Sequence, residues 1–113
     1  MNAPTELPSL PSRREALPNR RGLELIDFEH GGMRFTAGVG RFPDGHVAEI
    51  FLHTARAGSD AADIARDAAV VASLALQHGC PVETLRHALT RGSDGRAAGP
   101  IGVVLDLLDE ATP

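Results

Sequence analysis

Phe28-Glu29-His30-Gly31-Gly32-Met33-Arg34-Phe35 and, further along, Arg41-Phe42-Pro43-Asp44-Gly45-His46-Val47 decide the fold of this 113-residue chain. Gly-Gly and Asp-Gly favour tight hairpin turns because they accept positive φ at little cost. Each dipeptide lies between segments in which apolar and polar residues alternate, the period of a strand with one buried face. The reading is a three-stranded antiparallel meander over about 23–29, 33–41 and 46–53. A two-residue loop at Gly31-Gly32 sets Glu29 opposite Arg34, Phe28 opposite Phe35 and Ile26 opposite Ala37. A two-residue loop at Asp44-Gly45 sets Val39 opposite Ile50 and Ala37 opposite Leu52. These registers gather Ile26, Phe28, Met33, Phe35, Ala37, Val39, Ala48, Ile50 and Leu52 on one face, so turn chemistry and periodicity agree. The other face holds Asp27, Glu29, Arg34, Thr36 and Glu49, and the mid-strand Glu49 calls for Arg41 or Arg34 on the next strand. That face also receives Leu25, Phe42, Val47 and Phe51, an apolar group that marks a candidate partner interface or a seat for the N-terminal leader.

Beyond the strands the apolar spacing becomes helical. Ser59 and Asp60 are N-cap residues and Gly79 is a terminator, which predicts a helix over 60–78. Its stretch from Ala68 to Leu76 is apolar almost all round, so it is expected beneath other elements or in an oligomer interface. A second helix is predicted over about 81–91, with Pro81 in its first turn and Val82, Leu85 and Leu89 as its apolar stripe. A third covers about 99–110, where Ile101, Val104, Leu105 and Leu108 recur. The order β-β-β-α-α-α is α+β: a meander with three helices packed on one face.

Composition bounds the rest. Hydrophobic residues make up 42% and charged residues 23% of the chain, the balance of a soluble globular protein. No apolar run approaches the ~18–20 residues of a membrane span, and Met1–Glu6 lacks the basic and apolar regions of a secretory signal. A cytoplasmic location and no membrane partner are therefore expected. One cysteine leaves no intrachain disulfide or four-thiolate metal site. Residues 1–21, with Pro4, Pro8, Pro11 and Pro18, read as an extended leader ahead of a single domain over 22–110. All 11 basic residues are Arg, as GC-rich coding favours, on a chain of net charge −4. Arg13, Arg14, Arg20 and Arg21 outnumber Glu6 and Glu15 in the leader, a candidate anion contact. The clustering is thinner than nucleic-acid binding normally needs, so nucleic acid is not an expected partner.

Candidate chemistry is sparse. The five histidines form no H-x-x-x-H or H-E-x-x-H pair, so no metal is expected. Cys80 precedes a helix that could lower its pKa, and His78 two residues earlier is the nearest base; without a third group or an oxyanion hole, a structural thiol is the reading. Asp60, Asp63 and Asp67 suit a helix N-terminus. The run Gly92-Ser93-Asp94-Gly95-Arg96-Ala97-Ala98-Gly99 opens a helix as phosphate-cradling loops do, but lacks the Gly-Lys-Ser/Thr ending and a preceding strand. Gly99 and Gly102 are expected to allow close packing.

Several segments together resemble the TSCPD domain, a module at the C-terminal side of adenosylcobalamin-dependent (class II) ribonucleotide reductases and in small stand-alone proteins. The matching residues are Leu17-Pro18-Asn19-Arg20-Arg21, Pro43-Asp44-Gly45, Ala48-Glu49-Ile50-Phe51 and Ala57-Gly58-Ser59. They continue through Ser73-Leu74-Ala75-Leu76-Gln77-His78-Gly79-Cys80-Pro81-Val82-Glu83-Thr84-Leu85 and Gly99-Pro100-Ile101-Gly102-Val103-Val104-Leu105-Asp106. The resemblance covers about residues 17–108. The literal Thr-Ser-Cys-Pro-Asp string and the reductases' cysteine-rich tail are absent, and the length leaves no room for their catalytic barrel, radical-bearing cysteine or cobalamin site. The resemblance therefore implies a non-catalytic accessory module without a cofactor. The expected partners are a second copy, forming a homodimer, and a reductase subunit. The alternative is a nucleotide or nucleic-acid binder using the Arg-rich leader with the Gly-rich loop.

Overall fold

The computed structural model describes residues 13–17, 22–56 and 58–110. Three strands, β1 (Glu24–His30), β2 (Met33–Arg41) and β3 (Val47–Thr54), form one antiparallel sheet in the order β1-β2-β3. Three helices follow: α1 (Asp60–Gln77), α2 (Val82–Ala88) and α3 (Pro100–Glu110). The α+β class and element order match the sequence reading.

The first hairpin has the expected register, with Glu29 opposite Arg34 and Phe28 opposite Phe35. Gly31 and Gly32 both take positive φ, 59° and 77°, which admits a two-residue loop. The rings of Phe28 and Phe35 stack across the strands, 5.6 Å apart. The second hairpin differs. Phe42 N–H donates to the His46 carbonyl at 2.8 Å, closing a three-residue loop in which Gly45 has φ 96°. Gly40 then faces Glu49 while Arg41 faces Val47, so Ala48 is an extra residue in β3. This bulge offsets the longer loop by one residue, and Val39 meets Ile50 as expected.

The helix-facing side of the sheet supplies Phe35, Ala37, Val39, Ile50 and Leu52 to the core. Against them lie Ala65, Ala69, Ala72 and Leu76 of α1 and Ile101, Val104, Leu105 and Leu108 of α3. The small side chains let α1 approach β3 closely. There Ser73 Oγ accepts from Ile50 N–H (2.8 Å) and donates to the Ile50 carbonyl (3.1 Å), while Gln77 Nε2 donates to the Ala48 carbonyl (3.0 Å). Two side chains of α1 thus satisfy main-chain groups of β3, an outer strand of the sheet.

Helix ends follow their capping residues. Ser59 Oγ accepts from Ala62 N–H at 3.1 Å. At the other end, Gly79 N–H reaches Leu76 O and Cys80 N–H reaches Ala75 O, with Gly79 at φ 94°, a Schellman arrangement. α2 is shorter than predicted because Leu89 is already extended (φ −82°, ψ 157°), and Arg91 forms a bridge with Ala97. Asp106 of α3 holds this region together: it accepts from Arg86 of α2 at 2.9 Å and from both terminal nitrogens of Arg91 at 2.7 and 2.9 Å. Those guanidiniums, Arg91 first, hold its carboxyl down at about 2.

Candidate functional site

The structure splits the four apolar residues expected to share the outer sheet face. Leu25 and Phe51 do lie there, 72% and 47% exposed, joined by Leu23. Phe42 and Val47 do not, which corrects the expectation. The three-residue loop and the Ala48 bulge turn them toward the end of α1, where they line a cavity of about 320 Å³ with Leu76, Gln77, Cys80 and Val82. Around Leu25 and Phe51 the outer face is polar and internally paired: Thr36 Oγ1 donates to Asp27 (2.7 Å) and Arg34 meets Glu29 (3.8 Å). Arg41 meets Glu24 (2.7 Å) on the helix-facing side, where Glu24 lies opposite the buried Val39. The two arginines expected for Glu49 thus have these other acids as salt-bridge partners. Glu49 itself is buried, packed over Gly40, where a Cβ would lie 2.8 Å from Glu49 Cγ.

Of the leader arginines, Arg13 and Arg14 are not brought to the glycine-rich loop. Arg14 Nε donates to Gln77 Oε1, and Glu15 N–H donates to the Gln77 carbonyl at 2.8 Å, so this segment is stitched to the end of α1. Arg13 is exposed, and Arg20 and Arg21 lie outside the described residues. The loop sits at the other end of the sheet, where His30 Nε2 bonds to the Ala98 carbonyl at 3.0 Å. Its backbone donors are used internally: Gly92 N–H to Arg96 O, Gly95 N–H to Gly92 O and Arg96 N–H to Asp94 Oδ1. The adjoining cavity is lined by Glu29, Asp94 and Asp106 together with His30 and Arg96, a mixed rather than a cationic wall. Gly102 is the glycine that packs closely, since a Cβ there would lie 2.8 Å from Ala97 Cβ; Gly99 has open space.

Cys80 is half-buried on the wall of the 320 Å³ cavity, which it shares with Asp44 and His46 rather than with His78. Asp44 accepts from His46 twice, from its backbone N–H (3.0 Å) and at ring Nδ1 (2.9 Å), and these bonds hold the exposed Asp44 carboxyl below its ordinary value. The thiol meets the Pro81 carbonyl at 3.8 Å. The N–H groups of Gly79 and Cys80, the natural oxyanion donors beside it, are consumed by the helix C-cap. Among the described residues no three His, Cys, Asp or Glu side chains converge on a metal position.

The surface that sequence reasoning located only in outline is the outer side of α1. Ala65, Ala69, Ala72 and Leu76 face the sheet, and the opposite side leaves Ile64 (69%), Val70 (52%), Val71 (66%) and Leu74 (39%) exposed. Beside this ridge runs a groove of about 300 Å³ between the helices, lined by Ala68, Val71, Ala72, Leu85, Leu89 and Ile101, with Asp67 at its rim. The signal was the run from Ala68 to Leu76: it is too apolar for a helix with one side in water. No described helix is long and apolar enough to cross a membrane.

Comparison with known proteins adds a relationship. The chain is 35% identical over 77 residues to a vitamin B12-dependent ribonucleotide reductase of Agrobacterium fabrum, a match covering 68% of this chain and 6% of that protein. It is 34% identical over 73 residues to the vitamin B12-dependent ribonucleotide reductase of Rhodopirellula baltica, covering 65% of this chain and 7% of that protein. The chain thus spans only a small part of the relatives it matches. No family model matches it, and no solved structure does.

Proposed function

We propose that this chain is an accessory interaction module of the TSCPD kind, related to a short segment of vitamin B12-dependent ribonucleotide reductases, acting through contacts rather than chemistry. The uncovered apolar side of α1, beside an apolar groove, supports this reading most directly. In a water-soluble domain such a surface costs solubility unless something covers it. The polar groups point the same way, since Arg14, Asp44, Arg86, Arg91 and Asp106 are engaged in structural pairs. The module associates with itself and contacts a reductase subunit. Light scattering over a dilution series reads the first property, and retention of a purified vitamin B12-dependent reductase on the immobilised chain reads the second. A mass fixed near 11.9 kDa together with no retained reductase overturns the reading.

A further inference from the structure

We propose that the outward side of α1 is the seat of a second copy of this chain, docked antiparallel, helix against helix. This rests on the self-association proposed above and names its surface. Along that side Asp60, Ile64, Asp67, Val71, Leu74 and His78 recur at alternating steps of four and three, the spacing that keeps one stripe facing a partner helix. The opposite stripe, Ala65, Ala69, Ala72 and Leu76, is already spent on the sheet. Nothing among the described residues covers the outer one.

Charge selects the orientation. The acids Asp60, Asp63 and Asp67 occupy the N-terminal half of α1, and its last turn has no basic residue. A parallel pair would stack these acids on their own copies. An antiparallel pair moves Asp60 and Asp63 to the opposite end of the contact from their own copies, joins Ile64 to Leu74 and Asp67 to Val71, and lets the helix dipoles oppose. Shape agrees: ridge and groove adjoin and share Val71, so each copy offers the other both a knob and a hole, as a two-fold contact requires. A strip along 18 residues is about 27 Å long. With the groove beside it, the strip suits an interface burying roughly 600–1,000 Å² per partner. The sheet face is a poorer seat, because Leu23, Leu25 and Phe51 stand among side chains, Thr36 with Asp27 and Arg34 with Glu29, already paired with one another.

The test uses the full chain. Wild type is expected to weigh twice 11.9 kDa by light scattering. Val71→Glu and Leu74→Glu, at exposed positions, should weaken the dimer at least tenfold each with unchanged circular dichroism, whereas Leu25→Glu and Phe51→Glu should not. Orientation is read by diamide cross-linking on a Cys80→Ser background. Ile64→Cys mixed with Leu74→Cys should link as a heterodimer, and Ile64→Cys alone should not. A wild type that stays monomeric overturns self-association itself. A dimer that survives Val71→Glu and Leu74→Glu overturns this surface alone, as does a sheet-face variant that dissociates it. Linking of Ile64→Cys to itself overturns the antiparallel arrangement.

Discussion

Replacing Asp106 by Asn should cost stability by an amount that depends on pH in a defined way. The carboxyl accepts three hydrogen bonds from Arg86 and Arg91, and its side chain is 23% exposed. Holding it at about 2 against an ordinary 3.8 corresponds to about 2.5 kcal/mol. Solvent screening of a pair near the surface brings the expected loss to about 1.5–2 kcal/mol at pH 7. The folded value lies below the unfolded one, so this stability is fully present above pH 3.8 and drains away as pH falls toward 2. Asn has no such titration. Urea unfolding of wild type and Asp106→Asn at pH 7, 4 and 3 should show a gap that is nearly constant down to pH 4 and reduced by roughly half at pH 3. Repeating each curve at two protein concentrations separates this from any dimer contribution. A gap below about 0.5 kcal/mol at pH 7, the scale of an unimportant surface pair, or one that does not shrink with acid would refute the assignment of Asp106 as the ionic tie between α2 and α3.

Three other outcomes are expected. Ser59→Ala removes the acceptor for Ala62 N–H and should lower stability by about 1 kcal/mol in thermal or urea unfolding. Ser73→Ala strips both bonds to the Ile50 main chain and should cost about 1–3 kcal/mol, with faster hydrogen exchange at the Ile50 amide. Gly40→Ala drives a Cβ to within 2.8 Å of Glu49 Cγ and should cost about 1–3 kcal/mol. A double-mutant cycle with Glu49→Ala should return part of that loss; strict additivity would mean that the two do not collide.

Much of the fold was legible because two local signals agreed over the sheet. Gly31-Gly32 fixed the first hairpin, and period-two alternation fixed which side Phe35, Ala37 and Val39 face. The second hairpin was legible only in its interior. Asp44-Gly45 was read as a two-residue loop, whereas Pro43 to Gly45 form a three-residue one. The Ala48 bulge then cancels the slip, so Val39 and Ile50 pair as read. Phe42 and Val47 lie between loop and bulge and bear the whole error, which is why half of the candidate interface moved to the other side. Alternation alone carries no mark of an extra residue when Ala48, Glu49 and Ile50 are all buried. On α1 the sequence showed apolar residues all round but not which side the sheet would claim. The alanines decided that, since their size permits the close approach that lets Ser73 and Gln77 reach β3.

That reach has a consequence for how the module can be built into larger assemblies. Ser73 and Gln77 occupy main-chain positions through which another strand would join β3. Growth of the sheet is thereby left to the side of β1, a strand carrying Glu24, Asp27 and Glu29. Charged side chains along an exposed edge strand discourage edge-to-edge pairing, even where they have partners within their own sheet. A longer polypeptide that extends this sheet must do so beside β1. Any contact that leaves the sheet unextended falls to its faces and to the helices.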